Sequence, residues 1–154
     1  MPYEYHATVT SIVDGDTIVI DIDLGFDVVL SNQSVRLVGV DTPESRTSDK
    51  VEKVFGLVSK DYTKKFIESC NKHVIVRTQK PDSSEKFGRI LGDVINPETK
   101  EVLNESLIKN GYAVGYLGEN KNNVIDQHKL NRKRLIDEGK VKMSYKEAGL
   151  YRQG

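Results

Sequence analysis

The sequence has very little cysteine and no long apolar run. Its 154 residues include one cysteine, Cys70, which excludes an internal disulfide bond. No apolar stretch approaches the length of a membrane-spanning helix, so we expect no membrane partner. The first residues show neither the basic nor the apolar segment of a signal peptide, so the chain as given is expected to be cytoplasmic.

Net charge is also absent, and the charges are unevenly distributed. Lysine plus arginine and aspartate plus glutamate number 23 each, which argues against indiscriminate binding of polyanions through bulk charge. Residues 1–35 contain no lysine or arginine, whereas residues 46–80 are rich in both. An acidic region beside a basic one would suit a nucleic-acid substrate, although an ordinary solvated helix face explains most of these lysines.

Residues 35–44 (VRLVGVDTPE) are the most informative stretch, an apolar strand that a proline ends. Arg36 stands inside the apolar run, and Asp41 and Glu44 stand where the strand stops. A buried arginine is unfavourable unless it faces an anion. An internal salt bridge and an anionic ligand would each satisfy it, and this segment alone leaves both open.

Residues 13–20 (VDGDTIVI) carry a second acidic group. An Asp-Gly pair between runs rich in valine and isoleucine predicts a hairpin turn. Asp16 falls at the start of the following strand, where turn chemistry requires no carboxylate. The spacing does not match an EF-hand loop, so Asp16 would need a partner for metal binding, and Asp41 is the candidate.

Arg36 and Asp41 have opposite parity in a regular strand and would point to opposite faces of the sheet. Both can line one cleft only if the strand bends or ends near Gly39, which we therefore expect.

A further arginine, Arg89, opens the apolar strand in residues 86–92 (KFGRILG), close to Lys86. Two arginines on strands beside a site with oxygen ligands are the components of phosphodiester chemistry.

These segments resemble the thermonuclease (staphylococcal nuclease) family in their order and spacing. The matching motifs are DGDT at 14–17, VRL and VDTPE within 35–44, FGR at 87–89, and LNESL and GYA within 103–113. The resemblance covers roughly residues 5–137. It implies an SNase-like domain at 1–142, and leaves a C-terminal tail at 143–154 that would pack back on the domain or dock a partner.

The resemblance implies Ca²⁺-dependent hydrolysis of DNA or RNA. Asp16, Asp41 and the main-chain carbonyl of Thr42 would hold the cation. Hard oxygen ligands suit Ca²⁺ or Mg²⁺ and not zinc, and the looser coordination of calcium, with the resemblance, favours Ca²⁺ over Mg²⁺. The protein is expected to be a monomer, and the family includes secreted members, so secretion is not excluded.

Catalytic roles also follow from the resemblance. Glu44 would orient or deprotonate the attacking water, and Arg36 and Arg89 would clamp the phosphoryl oxygens with rigid donor forks. The 5′ oxygen would leave, giving products with a 3′-phosphate. Two other functions stay open, namely a catalytically silent module that binds single strands or a protein ligand, and a metal-dependent phosphatase for small molecules.

Substrate contacts are expected from Lys86, through a phosphate, and from Tyr112 and Tyr116, through base stacking. The family's tyrosines near this position are spaced differently. His128, in the last predicted helix, is expected to be a packed or half-exposed residue and not a metal ligand.

Five short strands with one long helix between the third and fourth predict an α+β protein that is mainly β. The pattern is that of a five-stranded OB-fold Greek-key barrel with about three covering helices. The long helix, over residues 51–70, carries apolar residues at fourfold spacing that would face the core. This predicted stripe consists of Val54, Val58, Tyr62 and Phe66, with Leu57 and Ile67 beside it.

Overall fold

Five strands form a closed barrel in the structure, a computed structural model that describes residues 3–78, 88–116 and 121–150. The barrel strands are β1 (Tyr3–Asp14), β2 (Thr17–Asp23), β3 (Val29–Leu37), β5 (His73–Thr78) and β6 (Ile90–Ile95). Their order around the barrel is β1-β2-β3-β6-β5. The β3–β6 pair is parallel and the others are antiparallel. The predicted five-stranded OB-fold barrel is confirmed.

Two short strands and three helices complete the described part of the fold. β4 (Val40–Asp41) pairs antiparallel with β7 (Val114–Gly115) beside the barrel. The helices are α1 (Lys50–Ser69), α2 (Leu103–Lys109) and α3 (Lys121–Asp137). None of these helices has the combination of length and apolar character that a membrane crossing requires.

β-branched side chains fill the barrel interior. In β2 the alternation of apolar and acidic residues places Ile18, Ile20 and Ile22 inside, as the sequence pattern predicts. Facing strands add further buried aliphatic residues, namely Val35, Leu37, Val74, Val76 and Val94. Each such side chain stabilises the fold by roughly 1.5–3 kcal/mol.

The predicted apolar stripe of α1 lies against the core, with Phe66 and Ile67 buried and Val54, Val58 and Tyr62 partly buried, but the most buried face of the helix also includes polar residues. Leu57 is 47% exposed, whereas Ser59 and Thr63 are fully buried. The two hydroxyls are satisfied by main-chain carbonyls, because Ser59 Oγ donates to Tyr112 O at 2.7 Å and Thr63 Oγ1 donates to Gly15 O at 2.6 Å. Small polar residues with internal partners therefore let the helix lie close to the barrel, and the predicted position of Leu57 against the core is wrong.

Residues 143–150 pack back on the domain. Ala148 is fully buried, and its carbonyl accepts a hydrogen bond from Arg132 Nη1 at 2.9 Å. The Tyr145 hydroxyl donates to the Asp137 carboxylate on α3, and Leu150 lies against the core. Of the two roles expected for the tail, packing on the domain is the one that this segment shows.

Candidate active site

The strand that carries Arg36 breaks at Gly39. β3 ends at Leu37, β4 begins at Val40, and between them Gly39 has a φ of +77°, a conformation that glycine adopts without strain. The Tyr116 N–H donates to Gly39 O at 2.8 Å. Residues 38–39, called here the Gly39 break, allow Arg36 and Asp41 to line one cleft despite their opposite parity.

Asn104 on α2 holds the Gly39 break from the barrel side. Its Nδ2 donates to Val38 O at 2.9 Å and to Gly92 O at 3.3 Å, while its Oδ1 accepts the Val94 N–H at 3.1 Å. Asn104 is 4% exposed. Sequence reasoning placed Asn104 in a family motif but assigned it no role. The signal that could have identified it is an amide side chain at a position next to buried apolar residues of the helix.

Arg36 connects the break to the two candidate carboxylate ligands, Asp16 and Asp41. Its Nη1 donates to Leu37 O at 3.0 Å and to Val40 O at 2.8 Å, on the two sides of the break. The same Nη1 lies 3.3 Å from Asp16 Oδ2, and Nη2 lies 3.5 Å from Asp41 Oδ1. Arg36 Nε forms no hydrogen bond within the described ranges, so the Nε–Nη2 edge keeps donor capacity for an anion.

Asp16 is the more buried of the two carboxylates. Its Oδ1 accepts the Thr17 hydroxyl at 3.0 Å, and its Oδ2 accepts the Thr42 N–H at 3.1 Å. The Asp16 side chain is 11% exposed, against 36% for Asp41 on β4. The structure therefore brings together Asp16, Asp41 and Thr42, the three residues that the sequence predicts for the cation.

This group of residues fits a hard cation. Two carboxylates and the neighbouring Thr42 backbone offer only oxygen donors, and the buried Thr42 Oγ1 has no hydrogen-bond partner among the described atoms. Over residues 3–78, 88–116 and 121–150, no group of three or more His, Cys, Asp and Glu side chains is placed to hold a metal. A cation here would therefore complete its shell with water and substrate oxygens, as Ca²⁺ and Mg²⁺ do.

Glu44 is an exposed residue on a loop that is fixed from two sides. Its N–H faces Glu52 Oε2 at 3.4 Å on α1, and the next residue, Ser45, donates its N–H to Asp14 Oδ1 at 3.2 Å. The Ser45 hydroxyl also donates to Asp14 Oδ1. On the helix side the loop backbone lies directly against Gly56, where a Cβ would come within 2.2 Å of Glu44 O. Sequence reasoning assigned no role to Gly56 or Ser45, and interpreted Asp14 only as part of the hairpin turn and the DGDT motif.

Arg89 lies immediately before β6, the strand that pairs with the strand of Arg36. The parallel register pairs Arg36 with Leu91, two residues after Arg89. The two arginines therefore come from neighbouring strands at nearby levels of the barrel, and Arg89 is half-buried. Lys86 lies outside the described residues.

The two candidate stacking tyrosines differ in their surroundings. Tyr112 is 9% exposed and its ring stacks on Tyr62, with centroids 4.7 Å apart, so most of its surface packs within the protein. Burial raises the pKa of both phenols above the ordinary value. Tyr116 follows β7 and is half-buried beside the Gly39 break, closer to the candidate site.

His128 contacts the candidate site directly. Its Nε2 lies 2.8 Å from Asp41 Oδ2, and its side chain is 17% exposed. The residue is half-buried on its helix, as the sequence predicts, but the partner is a carboxylate 87 positions away in the chain. A single sequence carries no signal for that pairing.

Comparisons with known proteins match most of this chain to one family. The family model described as staphylococcal nuclease homologue matches residues 34–140. The thermonuclease of Staphylococcus hyicus is 33% identical over 105 residues, and that of Staphylococcus intermedius is 35% identical over 105 residues. These alignments cover 68% of this chain and 56% of each relative, so the chain spans about half the length of the curated relatives it matches.

Proposed function

The chain belongs to the family of staphylococcal nuclease homologues, and on that basis we propose that it is a nuclease that hydrolyses phosphodiester bonds of DNA and/or RNA. The observation that carries the proposal is the arrangement of Arg36 between Asp16 and Asp41 at the Gly39 break. A structural ion pair would satisfy the arginine with one carboxylate. Two carboxylates around one guanidinium, beside an orphaned Thr42 hydroxyl, are better explained by a site for a cation and a phosphate.

In this proposal Asp16, Asp41 and the Thr42 carbonyl hold Ca²⁺. When bound, the cation would supply Lewis-acid stabilisation of the charge that develops on the phosphoryl oxygens. Mg²⁺ would serve less well, because it requires near-octahedral geometry and Ca²⁺ tolerates an irregular shell.

Arg36 would bind the phosphoryl group through its Nε–Nη2 edge. Its Nη1 is already directed to the carbonyls of Leu37 and Val40, so the guanidinium plane is fixed before substrate arrives. A fixed fork stabilises developing charge without reorganisation at the moment of reaction. Arg89, from the neighbouring strand, would contribute the second fork, and Lys86 and Tyr116 would contact the adjoining nucleotides.

Glu44 would orient the attacking water or take its proton. Its loop is fixed by Asp14 on one side and by α1 on the other, while the residue itself is exposed, so the carboxylate can reach a water in the cleft. Attack would expel the 5′ oxygen and leave a 3′-phosphate on the product.

Single-stranded DNA should be cleaved in Ca²⁺, more slowly in Mg²⁺, and not above background in EDTA. A labelled oligonucleotide resolved by gel electrophoresis measures the rate, and digestion of the product with a 3′-phosphatase identifies its end. Tight DNA binding without cleavage in any metal would contradict the nuclease and support a binding module. Cleavage of mononucleotides without cleavage of polymers would instead indicate a phosphatase.

Glu44→Gln should lower the turnover of single-stranded DNA by about 10²-fold or more, because the amide cannot accept a proton from water. The Ca²⁺ affinity should stay unchanged, since the amide replaces a side chain that is not a proposed ligand. Isothermal titration calorimetry measures the affinity and the gel assay the turnover. Glu68→Gln, at the exposed far end of α1, serves as the matched control. Lost Ca²⁺ affinity in Glu44→Gln would make Glu44 a metal ligand.

A further inference from the structure

His128 joins the last helix of the described chain to the candidate cation site. Its Nε2 lies 2.8 Å from Asp41 Oδ2, within the range of a charge-assisted hydrogen bond. The imidazole is 17% exposed, so the helix shields this contact from much of the competing solvent. Of the two candidate carboxylate ligands, His128 contacts Asp41. Asp16 accepts its hydrogen bonds from the Thr17 hydroxyl and the Thr42 N–H instead.

The two oxygens of Asp41 are therefore held by two different parts of the fold. Arg36 Nη2, from the barrel, lies 3.5 Å from Oδ1, and His128 Nε2, from α3, lies 2.8 Å from Oδ2. A carboxylate oxygen has two acceptor positions, so each keeps one for a cation. Without the imidazole, the 36% exposed side chain of Asp41 would keep only the long ion pair to Arg36 among its contacts with the described residues.

A second contact of α3 fixes the position of the helix that brings His128 to Asp41. Asn131, three residues later, donates its Nδ2 to Ala113 O at 3.1 Å. Ala113 immediately precedes β7, and β7 pairs with β4, where Val114 lies opposite Asp41. One helix face thus contacts both the backbone beside the strand pair and the carboxylate that the pair presents.

We propose that His128 is a positioning residue for Asp41, and that through it α3 sets the cation affinity of the site. The inference rests on the proposed function for the identity of the cation. The imidazole holds the carboxylate in the rotamer that faces Asp16 and Thr42. A partner of this kind, one shell out from the metal, typically changes affinity by 10–100-fold when it is removed.

The test is Ca²⁺ affinity of the full chain, measured by isothermal titration calorimetry at one fixed pH. His128→Leu should weaken Ca²⁺ binding by about 10-fold, since leucine occupies similar volume and donates no hydrogen bond. His128→Gln should keep most of the affinity, because its amide nitrogen can take the position of Nε2. His128→Asn, whose amide is one methylene shorter, should behave like the leucine variant.

Two controls separate the hydrogen bond from the docking of the helix. Asn131→Ala removes the contact to Ala113 without touching Asp41, and Gln127→Ala changes an exposed neighbour on the same helix. Gln127→Ala should bind Ca²⁺ as the unmodified chain does, and Asn131→Ala should lose much less affinity than His128→Leu, because His128 keeps its own contact to Asp41. If Asn131→Ala weakens binding as much as His128→Leu, the effect comes from helix packing and the inference is wrong.

The remaining outcomes each decide one claim. Unchanged or tighter Ca²⁺ binding in His128→Leu would overturn the inference, and tighter binding would mean that the imidazole competes with the cation for Asp41. Either result would leave the proposed nuclease function standing, provided that the unmodified chain cleaves DNA. Conversely, Ca²⁺ binding that follows the expected series without any DNA cleavage would refute the proposed function and support the positioning role. No Ca²⁺ binding by the unmodified chain would refute the positioning role.

Discussion

Arg36→Lys should lower the turnover of single-stranded DNA by about 10³-fold or more, the range seen when a transition-state arginine is lost in phosphoryl transfer. The guanidinium forms hydrogen bonds to Leu37 O and Val40 O through Nη1 and an ion pair with Asp41 through Nη2. Its planar fork makes these contacts, and in the proposed function the Nε–Nη2 edge would bind a phosphate. Lysine concentrates its three donors on one nitrogen and cannot satisfy the carbonyls and hold a phosphate at once.

Arg77→Lys is the matched control for that experiment. Arg77 also pairs with a carboxylate on the barrel, since its Nε and Nη2 lie 3.3 and 3.2 Å from Asp93 Oδ2. This pair lies across β5 and β6, and its two side chains make no described contact with Asp16, Arg36 or Asp41. Its loss should leave the turnover of the folded protein unchanged. Initial rates at saturating DNA and Ca²⁺ measure the effect, with circular dichroism confirming that both variants are folded.

Equal turnover in Arg36→Lys and the unmodified chain would assign the arginine to structure alone. The internal salt bridge, which the sequence left open, would then be a sufficient explanation. A large loss of turnover with retained Ca²⁺ affinity and a folded barrel would separate the phosphate role from the structural one.

The break in the strand between Arg36 and Asp41 was predictable because its constraints are local in sequence. The opposite parity of Arg36 and Asp41 required a bend, glycine at position 39 supplied it, and the structure has the break there. The alternation in β2 likewise fixed which isoleucines face the barrel interior. In both cases strand geometry alone connects residue identity to position.

The missed features depend on contacts between distant segments. The buried face of α1 includes Ser59 and Thr63, which count as polar in any periodicity but are satisfied by carbonyls 53 and 48 positions away. His128 reaches Asp41 only because α3 docks beside β7. Tyr112 could be recognised as aromatic, whereas its stacking on Tyr62 depends on how α1 passes the end of α2. None of these partners is specified by local pattern.

Gly56→Ala should lower the free energy of unfolding by about 3 kcal/mol, as overpacking against rigid neighbours does. Helix propensity alone predicts the opposite sign, since alanine within a helix is favoured over glycine by about 1 kcal/mol. The added Cβ would lie 2.2 Å from Glu44 O and 2.6 Å from Ser45 N. These are main-chain atoms of a loop that Asp14 holds in place, so no side-chain rotation can relieve the overlap.

Urea unfolding measures the stability, with Gly115→Ala as control. A Cβ at position 115 would meet only Ile108 Cδ1, at 3.8 Å, so that variant should change stability by no more than about 0.5 kcal/mol. Because the overlap at position 56 displaces Glu44 and leaves Asp16 and Asp41 in place, folded Gly56→Ala should also turn over DNA more slowly while binding Ca²⁺ normally. If Gly56→Ala proves as stable as the unmodified chain, helix propensity outweighs the contact, and α1 does not determine the position of the Glu44 loop.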